Sequence, residues 1–127
     1  MTETIQPPPR PQTLTLFLTA TPFGAQSAST VLNLADAALD QGYRVNLFLS
    51  ADAVYCAADG QKAAGLPQVG ERLDGLIGKG LRVDLCGSCL QLRGLKGAQR
   101  VEGPQPSSLK NLFGMMAQSK AFLTFGR

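Results

Sequence analysis

The chain has no histidine and no tryptophan. Without an imidazole, Ser-His-Asp and Cys-His catalysis, histidine-rich metal sites and a proton switch near neutral pH are excluded together. Charge is also scarce. Charged residues make up 17% of the chain, below the common share of about a quarter, which fits buried strands and a buried subunit face. Twelve Lys and Arg against nine Asp and Glu leave a net charge of +3. The basic residues form no long run, so direct nucleic-acid binding has no support. No apolar stretch approaches the 18 or more residues of a membrane span, and the N-terminus lacks the apolar core of an export signal. Three cysteines are too few, and odd in number, for the framework of a small secreted disulfide protein. The expected setting is reducing and cytoplasmic, away from membranes.

What is present fits one compact domain, since 127 residues bury roughly two-thirds of their unfolded surface. Residues 1–11, with Gln6-Pro7-Pro8-Pro9-Arg10-Pro11, read as a flexible proline-rich leader. Residues 12–127 read as a single α/β domain. Leu14-Thr15-Leu16-Phe17-Leu18-Thr19 is a buried-strand pattern ending at the turn Thr21-Pro22-Phe23-Gly24. From Ser27 or Ser29, Val31, Leu34, Ala35, Ala38 and Leu39 recur at helical spacing, and Gly42 marks the stop. Val45-Asn46-Leu47-Phe48-Leu49 follows as a second strand, giving a right-handed crossover between parallel strands.

The alternation then repeats. Ala51 to Ala58 reads as a short helix, and Gly60, Gly65 and Pro67 as a loop. Val69, Leu73, Leu76 and Ile77 form a helical stripe, and Leu81-Arg82-Val83-Asp84-Leu85 a third strand closed by Cys86. Gly87 to Leu95 reads as a short helix, with a further short strand around Arg100-Val101-Glu102. Ser107 or Ser108 caps a helix carrying Leu109, Leu112, Phe113 and Met116, and Ala121-Phe122-Leu123-Thr124-Phe125 ends the chain as a strand. Four or five strands alternating with helices predict an α/β fold with a mostly parallel sheet.

In such sheets ligands bind beyond the carboxyl ends of the strands. That rule selects the loops 20–28, 50–58 and 86–89, and all three cysteines fall in them. A thiol at a strand-to-helix junction meets unpaired N–H groups and the positive end of a helix dipole, which predicts an activated Cys86. Arg93, seven positions on, falls on the same helical face and adds positive charge or anchors an anionic partner. Cys89, one turn after Cys86, is placed to resolve a disulfide or to accept sulfur. Gly24 and Gln26 belong to a loop whose amides suit an anion, although the Lys and second Gly of a P-loop are missing. Cys56 and Gly87 complete the site lining.

Three other readings compete. The cysteines fit a core as small hydrophobes. A single Cys-x-x-Cys without histidine leaves a zinc site incomplete, so no metal is expected. The same spacing fits a dithiol oxidoreductase. Asp52, Asp59 and Asp84 lie near the crevice, but no pairing supports hydrolysis by two acids.

The stretch Leu16-Phe17-Leu18-Thr19-Ala20-Thr21-Pro22-Phe23-Gly24-Ala25-Gln26-Ser27-Ala28, with Val54-Tyr55-Cys56-Ala57 and Cys86-Gly87-Ser88-Cys89-Leu90-Gln91-Leu92-Arg93-Gly94, resembles the DsrE/DsrF-like family. The specific part is a strand-end cysteine with Arg-Gly seven and eight residues later, met by Cys86, Arg93 and Gly94. The resemblance implies a three-layer fold of about five strands with helices on both faces. It also implies a cytoplasmic sulfur relay without a cofactor, in which Cys86 accepts sulfur as a persulfide. A TusA-like sulfur carrier or another persulfide protein is the implied partner, and the implied assembly is a homo-oligomer, trimer or hexamer, or a complex with related subunits. Cys89 departs from the TusD-type pattern and matches some single-gene relatives. A dithiol oxidoreductase and a non-catalytic, ligand-binding subunit remain the alternatives.

Overall fold

A computed structural model describes residues 12–23, 26–61, 69–95 and 97–126. The strands are β1 (Thr13–Leu18), β2 (Arg44–Leu49), β3 (Arg82–Cys86), β4 (Gln105–Ser107) and β5 (Ala121–Phe125). The helices are α1 (Ser27–Asp40), α2 (Val69–Gly78), α3 (Gly87–Leu92) and α4 (Leu109–Gln118), and a 3-10 turn spans Ala51–Ala57. The five strands form one parallel sheet in the order β4-β3-β2-β1-β5.

Strand alternation divides the sheet into two faces with separate cores. Leu16, Leu18, Val45, Leu47, Leu49, Val83 and Leu85 pack on α1 and α2 through Val31, Leu32, Ala35, Leu73 and Leu76. On the opposite face Phe48 is buried with Leu112 and Met115 of α4, and Phe17, Phe122 and Cys86 close around them. The rings of Phe17 and Phe48 stack at 5.9 Å. The three layers follow from chain order. The first three crossovers step one way along the sheet, whereas the last returns from β4 past β1 to β5. A right-handed connection running backwards must use the other face.

Local chemistry explains most boundaries. Gly42 at φ +87° and Gly80 at φ +110° follow α1 and α2 in the left-handed conformation that ends helices. Ser108 caps α4, its Oγ accepting from Asn111 N–H at 3.3 Å. Ser27 is the first residue of α1, and Gln26 holds the cap position without a side-chain bond.

Two expectations need correction. Arg100 makes only an isolated antiparallel bridge to Ala58, and the fourth strand lies at Gln105–Ser107, where Pro106 is tolerated because this is a sheet edge. On α4 the buried side chains are Leu112 and Met115, while Leu109, Phe113 and Met116 are exposed. Among the described residues α4 is the one helix on this face, and a single line of its side chains, Leu112 and Met115, meets the sheet. The leader, residues 1–11, lies outside the described residues.

Candidate functional site

The site grows from the adjacency of β2 and β3. Leu49 and Leu85 are side-by-side partners in the last shared rung, so Ser50 and Cys86 emerge together at the carboxyl edge. Cys86 ends β3, pairs in register with Ser107 of β4, and packs toward the α4 side of the sheet. Cys89, inside α3, packs against the core on the other side. The two thiols thus straddle the end of β3. A Cβ added to Gly87 would meet the Ser107 carbonyl at 3.2 Å, so glycine lets α3 begin tightly against β4.

The turn after β2 closes on Cys89. Its Sγ accepts the Ala51 N–H at 3.2 Å and lies 3.7 Å from Ser50 Oγ. Ala51 holds φ +51°, and among the described residues it is the one non-glycine in the left-handed region. That conformation costs an L-residue ~1–2 kcal/mol, and such strain persists where surrounding structure imposes it. Here it aims a backbone donor at a sulfur.

Arg93 follows the end of α3 and turns back toward the same place. Its Nε and Nη2 donate to Asp52 Oδ1 at 3.0 and 2.8 Å, and its Nη1 donates to the Cys89 carbonyl at 3.2 Å. Desolvation raises the Cys89 pKa, but hydrogen bonds from Cys86, Ser50 and Ala51 and the Arg93 charge outweigh it. The net shift is downward, toward thiolate. The anion-stabilising groups therefore gather on Cys89, whereas the sequence directs the activation argument to Cys86. The reason is geometric: α3 has only six residues, so its dipole is slight and it ends before Arg93 can stack two turns above Cys86.

Cys56 sits in the 3-10 turn, 2% exposed, among Leu18, Leu32, Leu47, Leu49 and Leu73. Burial pushes its pKa up to about 12. The fold brings Cys86 and Cys89 together and leaves Cys56 in the core. Gln26 is exposed at the start of α1, its carbonyl accepting from Thr30 N–H at 3.0 Å. Gly24 lies outside the described residues. Among those residues no group of His, Cys, Asp and Glu is arranged to hold a metal ion.

Sequence reasoning missed Ser50 and Ala51 as partners of a thiol, and it saw Asp52 only as a lone carboxylate. Their signal was position: they directly follow the strand that neighbours β3. Asp84 is also engaged. Fully buried two residues before Cys86, it accepts from Arg82 Nε and Nη2 at 2.9 and 3.2 Å and from Gln105 at 3.4 Å.

The profile of the DsrE/DsrF-like family matches residues 12–125. An uncharacterised protein of Methanocaldococcus jannaschii is 33% identical over 111 residues, covering 87% of this chain and 97% of its own. The protein YchN of Escherichia coli is 28% identical over 116 residues. The YchN crystal structure superposes with a TM-score of 0.85, covering 90% of this chain and 99% of YchN. A protein of unknown function from Methanobacterium thermoautotrophicum, 16% identical, shares the fold at a TM-score of 0.69.

Proposed function

This chain belongs to the DsrE/DsrF-like family, and from that premise we propose that it is a sulfur-relay protein that accepts sulfur as a persulfide on Cys86. The observation that carries the reading is the Cys86/Cys89 pair at the carboxyl edge of the sheet, with Cys89 held toward thiolate.

Thiolates, not thiols, attack sulfur. The Cys89 thiolate takes the proton of Cys86, and the Cys86 thiolate attacks the outer sulfur of a donor persulfide. A new Sγ–S bond forms, the donor's S–S bond breaks, and the donor leaves as a thiolate that recovers the proton from Cys89. No electrons enter or leave, so no cofactor is required. An acceptor thiolate then removes the terminal sulfur by the same exchange. The partner is a TusA-like sulfur carrier or another persulfide protein. The setting is a reducing cytoplasm, and the protein assembles with copies of itself or related subunits. No helix among the described residues is long and apolar enough to cross a membrane.

The test is incubation with glutathione persulfide followed by mass spectrometry without reductant. The expected product carries one extra sulfur on the peptide Val83–Arg93, and the adduct disappears in Cys86→Ser. A dithiol oxidoreductase, the reading favoured by the same proximity of thiols, gives a Cys86–Cys89 disulfide and turnover of a disulfide substrate without a sulfur adduct.

A further inference from the structure

Accepting the proton of Cys86 does not account for the whole arrangement around Cys89, because donors that stabilise a thiolate make it a weaker base. The bonds from Ser50 and Ala51, the strained Ala51 and the Asp52–Arg93 clamp suit a thiolate that leaves. From their convergence on one sulfur we infer that Cys89 is a second sulfur station, which receives the sulfur from Cys86 and delivers it to the acceptor. Ser50, Ala51 and Arg93 form the cradle for its thiolate, and Asp52 acts as a positioning residue through Arg93. The inference rests on the sulfur-relay reading and extends it.

The steps balance. The Cys89 thiolate attacks the terminal sulfur of the Cys86 persulfide, forming a Cys89 Sγ–S bond and breaking the Cys86 Sγ–S bond. The products are a Cys89 persulfide and a Cys86 thiolate. In the exit step an acceptor thiolate takes the terminal sulfur, and Cys89 departs as the thiolate. A leaving thiolate departs faster the lower its pKa. The cradle stabilises this species with the Ala51 N–H at 3.2 Å, Ser50 Oγ at 3.7 Å and the Arg93 charge. Positions explain the division of labour. Cys86 ends its strand, whereas Cys89 is bonded into the turn after β2. Arg93 donates to the Cys89 carbonyl as well as to Asp52, so the cation is fixed beside the second station.

The experiment loads the full chain with glutathione persulfide, quenches samples over time with iodoacetamide, and locates the extra sulfur by fragmenting the peptide Val83–Arg93. The expected course is an adduct first on Cys86 and then on Cys89. In Cys89→Ser the adduct stays on Cys86, and transfer to free cysteine slows about tenfold or more, the scale for losing charge-assisted stabilisation of an anion. In Ser50→Ala and Asp52→Asn the adduct still forms on Cys86, while the pH profile of Cys89 alkylation moves to higher pH, a readout that a purely structural role leaves in place. Sulfur found only on Cys86, with wild-type transfer in Cys89→Ser, overturns the second station. An unmoved alkylation profile in both cradle variants overturns the cradle. An adduct on neither cysteine overturns the sulfur-relay reading beneath them.

Discussion

Cys56 provides the sharpest quantitative prediction, because its environment is the opposite of the site's. Thiol alkylation proceeds through the thiolate. An ordinary thiol of pKa 9.0 is about one-tenth thiolate at pH 8, whereas one raised to about 12 is about one ten-thousandth thiolate. Charge alone therefore slows Cys56 by roughly a thousandfold, and its 2% exposure adds a requirement for local opening. The perturbation is iodoacetamide at pH 8 under native conditions, read by mass spectrometry of the peptides Val45–Lys62 and Val83–Arg93. Cys86 and Cys89 are expected to be alkylated to completion while Cys56 stays unmodified. In concentrated urea, where burial is lost, the three should react at comparable rates. Labelling of native Cys56 within about tenfold of the other two would refute the reasoning from burial.

The same thiol makes stability depend on alkaline pH. Its folded pKa lies above its unfolded value, so the contribution is complete below about pH 9 and is lost as pH rises toward about 12. Three pKa units correspond to at most about 4 kcal/mol, and Cys56→Ala should flatten this part of the urea-unfolding profile relative to wild type. Ser108→Ala removes the α4 cap and should cost ~1 kcal/mol in urea unfolding. Phe48→Ala, at the fully buried centre of the α4-side core, should cost about 3–5 kcal/mol. Phe113→Ala, 63% exposed, should stay within about 0.5 kcal/mol in the unfolding of a single chain; equal effects at the two positions would contradict the assignment of the buried face of α4.

The strand-helix alternation was legible because parallel strands buried on both faces read as apolar runs, as at Leu14–Leu18 and Val45–Leu49. The end of β3 at Cys86 was equally legible from the apolar-charged alternation Leu81-Arg82-Val83-Asp84-Leu85, which stops there before Gly87. β4 was not, since an edge strand of three residues, Gln105–Ser107, buries little and carries no apolar pattern. The face of α4 was ambiguous because Leu109, Phe113 and Met116 lie at helical spacing as convincingly as Leu112 and Met115. Only the position of the helix over the sheet decides which line is buried.

The candidate site divides in the same way. By itself the sequence determined that histidine chemistry is absent, that the thiols follow strands, and that Cys86 closes one. These are properties of residue identity and local pattern. That Cys56 lies in the core, and that Ala51 donates to Cys89 while Asp52 holds Arg93, was decided by tertiary structure. Residues about forty positions apart meet only because β2 and β3 are neighbours in a set register. A thiol's acidity is set by the donors and charges around it, and those are supplied by strand order rather than by the residues beside it in the chain.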